Sequence, residues 1–239
     1  MKGAEDRLEF PDGGGCVYPG RHQVADALLH RGGEAIPVVV KKIRVTWRQR
    51  LAGKTKGKRS YETALALLGK GIQTPEPLLF RDLGDESWFV ARRVESSEQI
   101  RCWFLQRDDP ANPAPGLPFS FEQVVAGLGS LARTLHDGGV FYRDFSDGNV
   151  LVSSGPGGPS LWLVDLDRAR VSPRSVGWWR RLRDLSRPGL NRRGDRKSML
   201  ASYFAPRPVP WWAEGGVSFL RARVRAWNAL KRALRPWRS

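Results

Sequence analysis

The chain's 239 residues can enclose a sizeable core, as one domain or as two lobes sharing a cleft, and its two cysteines, Cys16 and Cys102, match no metal-ligand spacing, so reduced thiols are expected. The opening MKGAEDRLEF lacks the apolar core of a secretion signal and no run of ~18 apolar residues could span a bilayer, so a cytoplasmic protein is expected, at most peripheral to a membrane. The net charge of +16 lies wholly beyond residue 167: residues 1–167 hold 21 Lys/Arg and 21 Asp/Glu, and residues 168–239 hold 19 Lys/Arg against Asp184, Asp195 and Glu214.

In chain order, the run Val24 to Leu29, the turn Arg31-Gly32-Gly33-Glu34 and the run Val38 to Val45 predict a hairpin rich in β-branched residues. A basic, glycine-containing connection follows from Trp47 to Arg59, read as an exposed loop or the start of a helix. Ser60 to Leu68 then predicts a helix, with Ser60 as N-cap and Gly69 as its stop. Pro75 and Pro77 end that unit, and Leu78 to Phe80 and Trp88 to Val94 read as strands.

After a proline-rich break from Asp108 to Pro118, Phe121, Val124, Val125, Leu128, Leu131 and Leu135 recur at helical spacing and predict a core helix. That helix leads into LHDGGVFYRDFSDGNVLV, a Gly/Pro/Ser turn, and LWLVDLD, with short strands at Val150–Val152 and Leu161–Val164. Asp144, Asn149 and Asp165 thus sit beside strand-like runs. A carboxylate, an amide and a second carboxylate at these spacings are what phosphoryl transfer from a nucleotide requires: a base to align the hydroxyl and two oxygen ligands for Mg²⁺. Strands, one helix, strands and then mostly helices make an α+β pattern, with a small N-terminal lobe over residues 1–95 and a larger, mainly helical lobe over 96–239.

These elements resemble the protein-kinase-like superfamily and, within it, the lipopolysaccharide kinase (Kdo/WaaP) family, which phosphorylates inner-core sugars. The resemblance is carried by VVVKK, a helix glutamate before GIQTPEPLL, YRDFSDGNVLV, LVDLDRAR and RRLRDLSRPGLNRRGDRKSMLASYF, across roughly residues 17 to 204. It implies a two-lobed kinase-like fold, with ATP and Mg²⁺ as cofactors bound in the cleft between the lobes.

It also implies roles for particular residues. Strand alternation puts Val39, Lys41, Ile43 and Val45 on one face and Val40, Lys42 and Arg44 on the other. With the first face inward, Lys41 is the better match to the lysine that holds the α/β-phosphates, Val39 lies over the adenine, and Lys42 and Arg44 are solvated. Glu62, the sole acidic residue between Glu34 and Glu76, is expected to hold Lys41. Asp144 would accept the proton of the attacking hydroxyl, with Arg143 beside it stabilising the loop or sensing phosphate. Tyr142 stands where related loops carry histidine.

Asn149 and Asp165 would bind Mg²⁺. Asp165-Leu166-Asp167 departs from D-F-G, and its extra carboxylate, Asp167, is expected to join the metal shell or pair with Arg168. No G-x-G-x-x-G is present; Pro19-Gly20-Arg21-His22-Gln23 is the candidate phosphate turn, through backbone N–H groups near Gly20 or through Arg21. His136 reads as structural.

The basic tail carries the stripe Val217, Leu220, Val224, Trp227, Leu230 and Leu234, interleaved with Arg221, Arg223, Arg225, Lys231, Arg232 and Arg235. Such a helix suits packing on its own domain or an anionic membrane surface; nucleic acid is the less favoured anionic partner. The expected function is an ATP- and Mg²⁺-dependent kinase for a Kdo or heptose hydroxyl of a lipopolysaccharide precursor. The alternatives are an aminoglycoside phosphotransferase-like or RIO-like kinase, or a non-catalytic kinase-like binding module. Retention of Lys41, Glu62, Asp144, Asn149 and Asp165 together speaks against the last.

Overall fold

The computed structural model describes residues 6–11, 23–51, 53 and 55–233. Gly20 and Arg21 of the candidate phosphate turn, and the tail from Leu234 onward, lie outside the described residues. The chain forms two compact units, Met1–Ser96 with Trp162–Asp167, and Ser97–Leu161 with Arg168–Ser239.

The first unit is built on a five-stranded antiparallel sheet of β1 (Arg7–Glu9), β2 (Gln23–Arg31), β3 (Glu34–Arg44), β4 (Pro77–Asp82) and β5 (Glu86–Arg92), in the order β1-β2-β3-β5-β4. The predicted hairpin is β2–β3. Its two-residue turn, Gly32-Gly33, has φ of +60° and +87°, the left-handed pair that a tight hairpin of this twist needs. Register across the sheet sets Val24 opposite Lys41, and Lys41 opposite Phe89.

Ile36, Val38 and Val40 of β3 are buried with Ala27, Leu29 and Val90 in one cluster, against which Leu8, Phe10, Leu78, Leu79 and Trp88 pack. The β3 face expected to be outer is therefore a core face. Ile43 is buried on the opposite side, so β3 is covered on both faces and alternation could not name one inner face. Lys42, expected to be solvated, instead closes the edge of the cluster, with Nζ 4.6 Å from the Phe10 ring centre and 4.9 Å from that of Trp88.

Two helices complete the unit: α1 (Trp47–Leu51) and α2 (Lys56–Leu68), with α2 packed on β3, β4 and β5. Helix α2 begins a turn earlier than its sequence suggests. Thr55 is the N-cap, its hydroxyl accepting from Lys58 N, while Ser60 lies buried inside the helix. The segment 162–167 is tied to the unit by Leu163 N donating to Gln73 O (3.0 Å) and by the Thr74 hydroxyl donating to Leu163 O (2.7 Å).

The second unit comprises β6 (Glu98–Gln99), α3 (Arg101–Asp108), α4 (Phe121–Asp137), β7 (Val140–Phe141), β8 (Val150–Gly155), β9 (Gly158–Leu163, its last two residues in the first unit), β10 (Arg170–Val171), α5 (Trp178–Leu185), α6 (Arg193–Phe204) and α7 (Trp211–Ala233). Helix α4 is the predicted core helix. Ser120 and Gln123 form a reciprocal capping box at its start, satisfying two otherwise orphaned N–H groups. Val124, Val125, Leu128, Ala132 and Leu135 supply its buried stripe, each contributing ~1.5–3 kcal/mol if fully transferred from water, the smaller Ala132 less. Gly129 lets α6 approach closely, because a Cβ there would lie 2.4 Å from Met199 O.

The first half of α7 packs on its own unit through the buried residues Ala213, Val217 and Leu220. Farther along, Trp227 and Leu230 are exposed. Among the described residues no helix is long and apolar enough to cross a membrane.

Candidate active site

In the first unit the chemistry-bearing residues gather around the residues that follow β9. Lys41 reaches from the middle of β3 and places Nζ 2.5 Å from Asp165 Oδ1. Two residues on, the Asp167 side chain is 6% exposed and lies 3.3 Å from Lys56 Nζ, at the start of α2. Burial pushes the Asp167 carboxyl up, but the charge of Lys41, the neighbouring Asp165 carboxyl and Lys56 together hold it below the usual carboxylate range. Asp165 has φ of +60°, a left-handed conformation uncommon for a residue with a side chain, so the backbone is strained where the candidate metal ligand sits. Val39, the expected neighbour of adenine, is half-buried on the Lys41 face of β3.

Glu62 does not hold Lys41. It is exposed on α2, whose buried face consists of Gly57, Ser60, Thr63, Ala64 and Leu67. At 100° per residue, Glu62 lies on the far side of the helix from Ser60. The lysine's carboxylate partner is Asp165 instead, and the cation–carboxylate link involving α2 runs through Lys56.

In the second unit, the loop from Tyr142 to Asn149 is built on buried aromatic anchors. Tyr142 and Phe145 are 0% and 1% exposed, and their rings meet edge to face at 6.1 Å. Between them, Arg143 adopts φ of +69° and the half-buried Asp144 is set at the surface of the loop. The Asp144 carbonyl accepts from Ser146 N (2.7 Å) and from the Asn149 side-chain Nδ2 (2.9 Å). That second bond commits the Asn149 amide nitrogen and leaves Oδ1 as the atom a cation would use. Arg168 places Nη1 3.3 Å from Asp144 Oδ2, so its partner is Asp144 and not Asp167.

Asp184, on α5, is the structural centre of this loop and was not singled out by any sequence motif. Its side chain is 1% exposed, and its two oxygens accept from Tyr142 N (2.9 Å) and Arg143 N (3.0 Å). His136 is structural, as expected: it is buried, with Nδ1 3.0 Å from the Tyr203 hydroxyl and Nε2 3.5 Å from Asp184. Burial drives its pKa down, outweighing the opposite pull of Asp184, so it packs as a neutral ring.

Arg221, expected on the charged face of the tail, donates to the carbonyls of Ser186 and Pro188. Burial, with Arg225 and Arg196 nearby, lowers its pKa to about 10. The cations that line the groove between α5 and α7 are Arg183, Arg187 and Arg223, around Leu220, Val224, Trp227 and Leu230.

Comparison with known proteins gives three findings. Residues 14–198 match the lipopolysaccharide kinase (Kdo/WaaP) family, well over half of the chain. Among solved structures, the fold is similar to that of WaaP in complex with acyl carrier protein, with a TM-score of 0.60 and 18% sequence identity, covering 89% of this chain and 88% of that one. No curated protein matches significantly.

Proposed function

We propose that this chain, which belongs to the lipopolysaccharide kinase (Kdo/WaaP) family, transfers the γ-phosphoryl group of ATP to a Kdo or heptose hydroxyl of the lipopolysaccharide inner core. The observation that carries the ATP-dependent part of this reading is the Lys41–Asp165 pair at 2.5 Å, bringing together two residues that lie 124 positions apart in sequence. A lysine and a carboxylate so placed support the reading of Lys41 as the phosphate-holding and Asp165 as the metal-holding half of a phosphoryl-transfer site.

In this reaction the acceptor hydroxyl oxygen forms a bond to the γ-phosphorus, the bond from that phosphorus to the β–γ bridging oxygen breaks, and ADP leaves. Asp144 takes the hydroxyl proton, and Lys41 offsets charge on the α/β-phosphates. Arg168, beside Asp144, steadies the carboxylate as an acceptor and adds positive charge near the transferred group.

The donor set fits Mg²⁺. Among the described residues no group of three or more His, Cys, Asp or Glu forms a cage, but Mg²⁺ in such enzymes is held by one or two carboxylates together with substrate phosphates. Asp165 and Asp167 of the first unit would hold it, and it would neutralise charge on the phosphate oxygens.

The test is transfer of ³²P from γ-labelled ATP, with Mg²⁺, into Kdo-lipid A and heptosylated lipid A, beside aminoglycoside, protein and RNA acceptors, with an Asp165→Ala blank. Label in a lipid A-linked sugar that vanishes in the variant supports the reading. Label confined to another acceptor would keep the kinase and discard the substrate.

The exposed end of α7 supports a peripheral location on the cytoplasmic face of the membrane that carries the acceptor. Arg183, Arg187 and Arg223 rim an apolar strip ending in Trp227 and Leu230, the composition that suits an anionic leaflet. Changing all three arginines to glutamine is expected to reduce co-sedimentation with phosphatidylglycerol vesicles at least fivefold while phosphorylation of a soluble acceptor stays unchanged. Equal sedimentation of the variant and the parent protein would remove the membrane role. A carrier protein is an alternative partner, supported by the solved structure of the similar WaaP in complex with acyl carrier protein.

A further inference from the structure

Helix α2 opens with Lys56-Gly57-Lys58-Arg59 and has no acidic residue in its first turn. Cations at a helix N-terminus oppose the helix dipole, so this opening is unfavourable unless the charges serve another contact. The opening is nevertheless held firmly. Thr55 caps it, Gly57 N donates to the Ser87 hydroxyl (3.1 Å), and that hydroxyl donates to Asp82 (2.6 Å).

A Cβ at Gly57 would lie 2.2 Å from the Ser87 hydroxyl and 2.9 Å from Trp88 O, so glycine is what admits α2 this close to β5. Lys56 is therefore presented from a fixed helix start, and its Nζ lies 3.3 Å from the buried Asp167. One turn on, the buried Ser60 hydroxyl has no hydrogen-bond partner. The buried face of α2 thus contributes no carboxylate, and Lys56 at its start contributes a cation.

We propose that Lys56 is a positioning residue for phosphoryl transfer: through Asp167 it fixes the Asp165-Leu166-Asp167 turn and keeps Lys41 committed to Asp165 and the nucleotide. This inference rests on the kinase reading of Lys41 and Asp165. Two carboxylates sit two residues apart, each with its own lysine: Lys41 with Asp165 and Lys56 with Asp167. Lys41 and Lys56 both act on the buried Asp167 charge. Without Lys56, Lys41 is drawn further toward Asp167, and its hold on phosphate weakens. Asp165, at φ of +60°, also loses a restraint on a turn that is already strained.

Equilibrium binding of a fluorescent ATP analogue with Mg²⁺ to the full chain tests this without any acceptor. Lys56→Met is expected to weaken binding about tenfold and Lys56→Arg less than twofold, with melting temperatures showing that each variant is folded. Should Lys56→Met fail to fold, Lys56→Gln makes the same comparison. In an Asp167→Asn background, Lys56→Met is expected to cost nothing further, because the charge it manages is gone. Wild-type affinity in Lys56→Met, or a loss that simply adds to that of Asp167→Asn, overturns the proposal. Failure of the wild-type protein to bind ATP would overturn the kinase reading first, and this inference with it.

Discussion

Asp165→Asn is expected to lower the rate of Mg²⁺-dependent phosphoryl transfer by at least about 10³-fold, or about 4 kcal/mol of transition-state stabilisation, with little loss of fold. Asparagine is the informative replacement because Asp165 has φ of +60°, and asparagine tolerates that left-handed conformation better than other residues with side chains. The substitution removes the charge without adding backbone strain. Lys41 loses the carboxylate now 2.5 Å from its ammonium, and the candidate metal site loses one of its two carboxylates. Both halves of the proposed nucleotide site fail together, so ATP affinity in Mg²⁺ and turnover should fall in the same variant.

Asp144→Ala separates the roles. It is expected to cost about 10²–10⁴-fold in turnover, the usual range for a positioned acid or base, with nucleotide affinity unchanged. Single-turnover rates and ATP binding measured side by side on the two variants check both statements. An Asp144→Ala enzyme that keeps near-normal rates on the true acceptor would show that another group takes the hydroxyl proton.

How far the sequence anticipates this site depends on the range of the interaction. The β2–β3 hairpin and α4 were legible because period-two and period-3.6 patterns are local, as are the Gly32-Gly33 turn and the Asp144 to Asn149 spacing. The pairing of Glu62 with Lys41 failed on helix phase. Once Gly57, Ser60, Ala64 and Leu67 are taken as the buried face, Glu62 points to solvent, and a helical wheel over residues 56–68 would have found this. The start of α2 was hidden because Lys56 to Arg59 is a poor first turn by dipole and composition, although Thr55 was available as a cap. The role of Lys42 was misjudged because β3 is buried on both sides, so its two faces cannot be ranked by hydrophobicity alone.

Asp184 lay beyond local reading altogether. Its partners are two backbone N–H groups about 40 residues earlier, and main-chain donors leave no sequence signature. The one available hint was compositional: it is one of three acidic residues in a 72-residue tail with 19 Lys/Arg. An acid kept in so basic a segment has a specific contact to make. The same reasoning covers Asp195, which is buried beside Arg107 at 3.3 Å, and Glu214, paired with Arg193.

Asp184→Ala is therefore expected to be the most damaging single change outside the proposed nucleotide and acceptor residues. The carboxylate is 1% exposed and satisfies Tyr142 N and Arg143 N together. Removing it takes this acceptor from two main-chain donors, each loss costing about 1–3 kcal/mol, and empties the space beneath a loop whose Arg143 is held at φ of +69°. A total of about 3–5 kcal/mol is a large share of the roughly 5–15 kcal/mol that stabilises a domain. The melting temperature should fall by on the order of 10 °C, and at temperatures where the variant is still folded its turnover should fall at least about tenfold, because Asp144 is carried by the loop that has lost its anchor. Asp184→Asn retains one oxygen acceptor and should fall between the alanine variant and the parent in both measures. ATP binding should be spared in the folded fraction, since Lys41, Lys56, Asp165 and Asp167 belong to the first unit and Asp184 to the second. A variant that melts with the parent and turns over normally would show that the loop holds its shape without this carboxylate, and Tyr142 and Phe145 would then be its sufficient anchors.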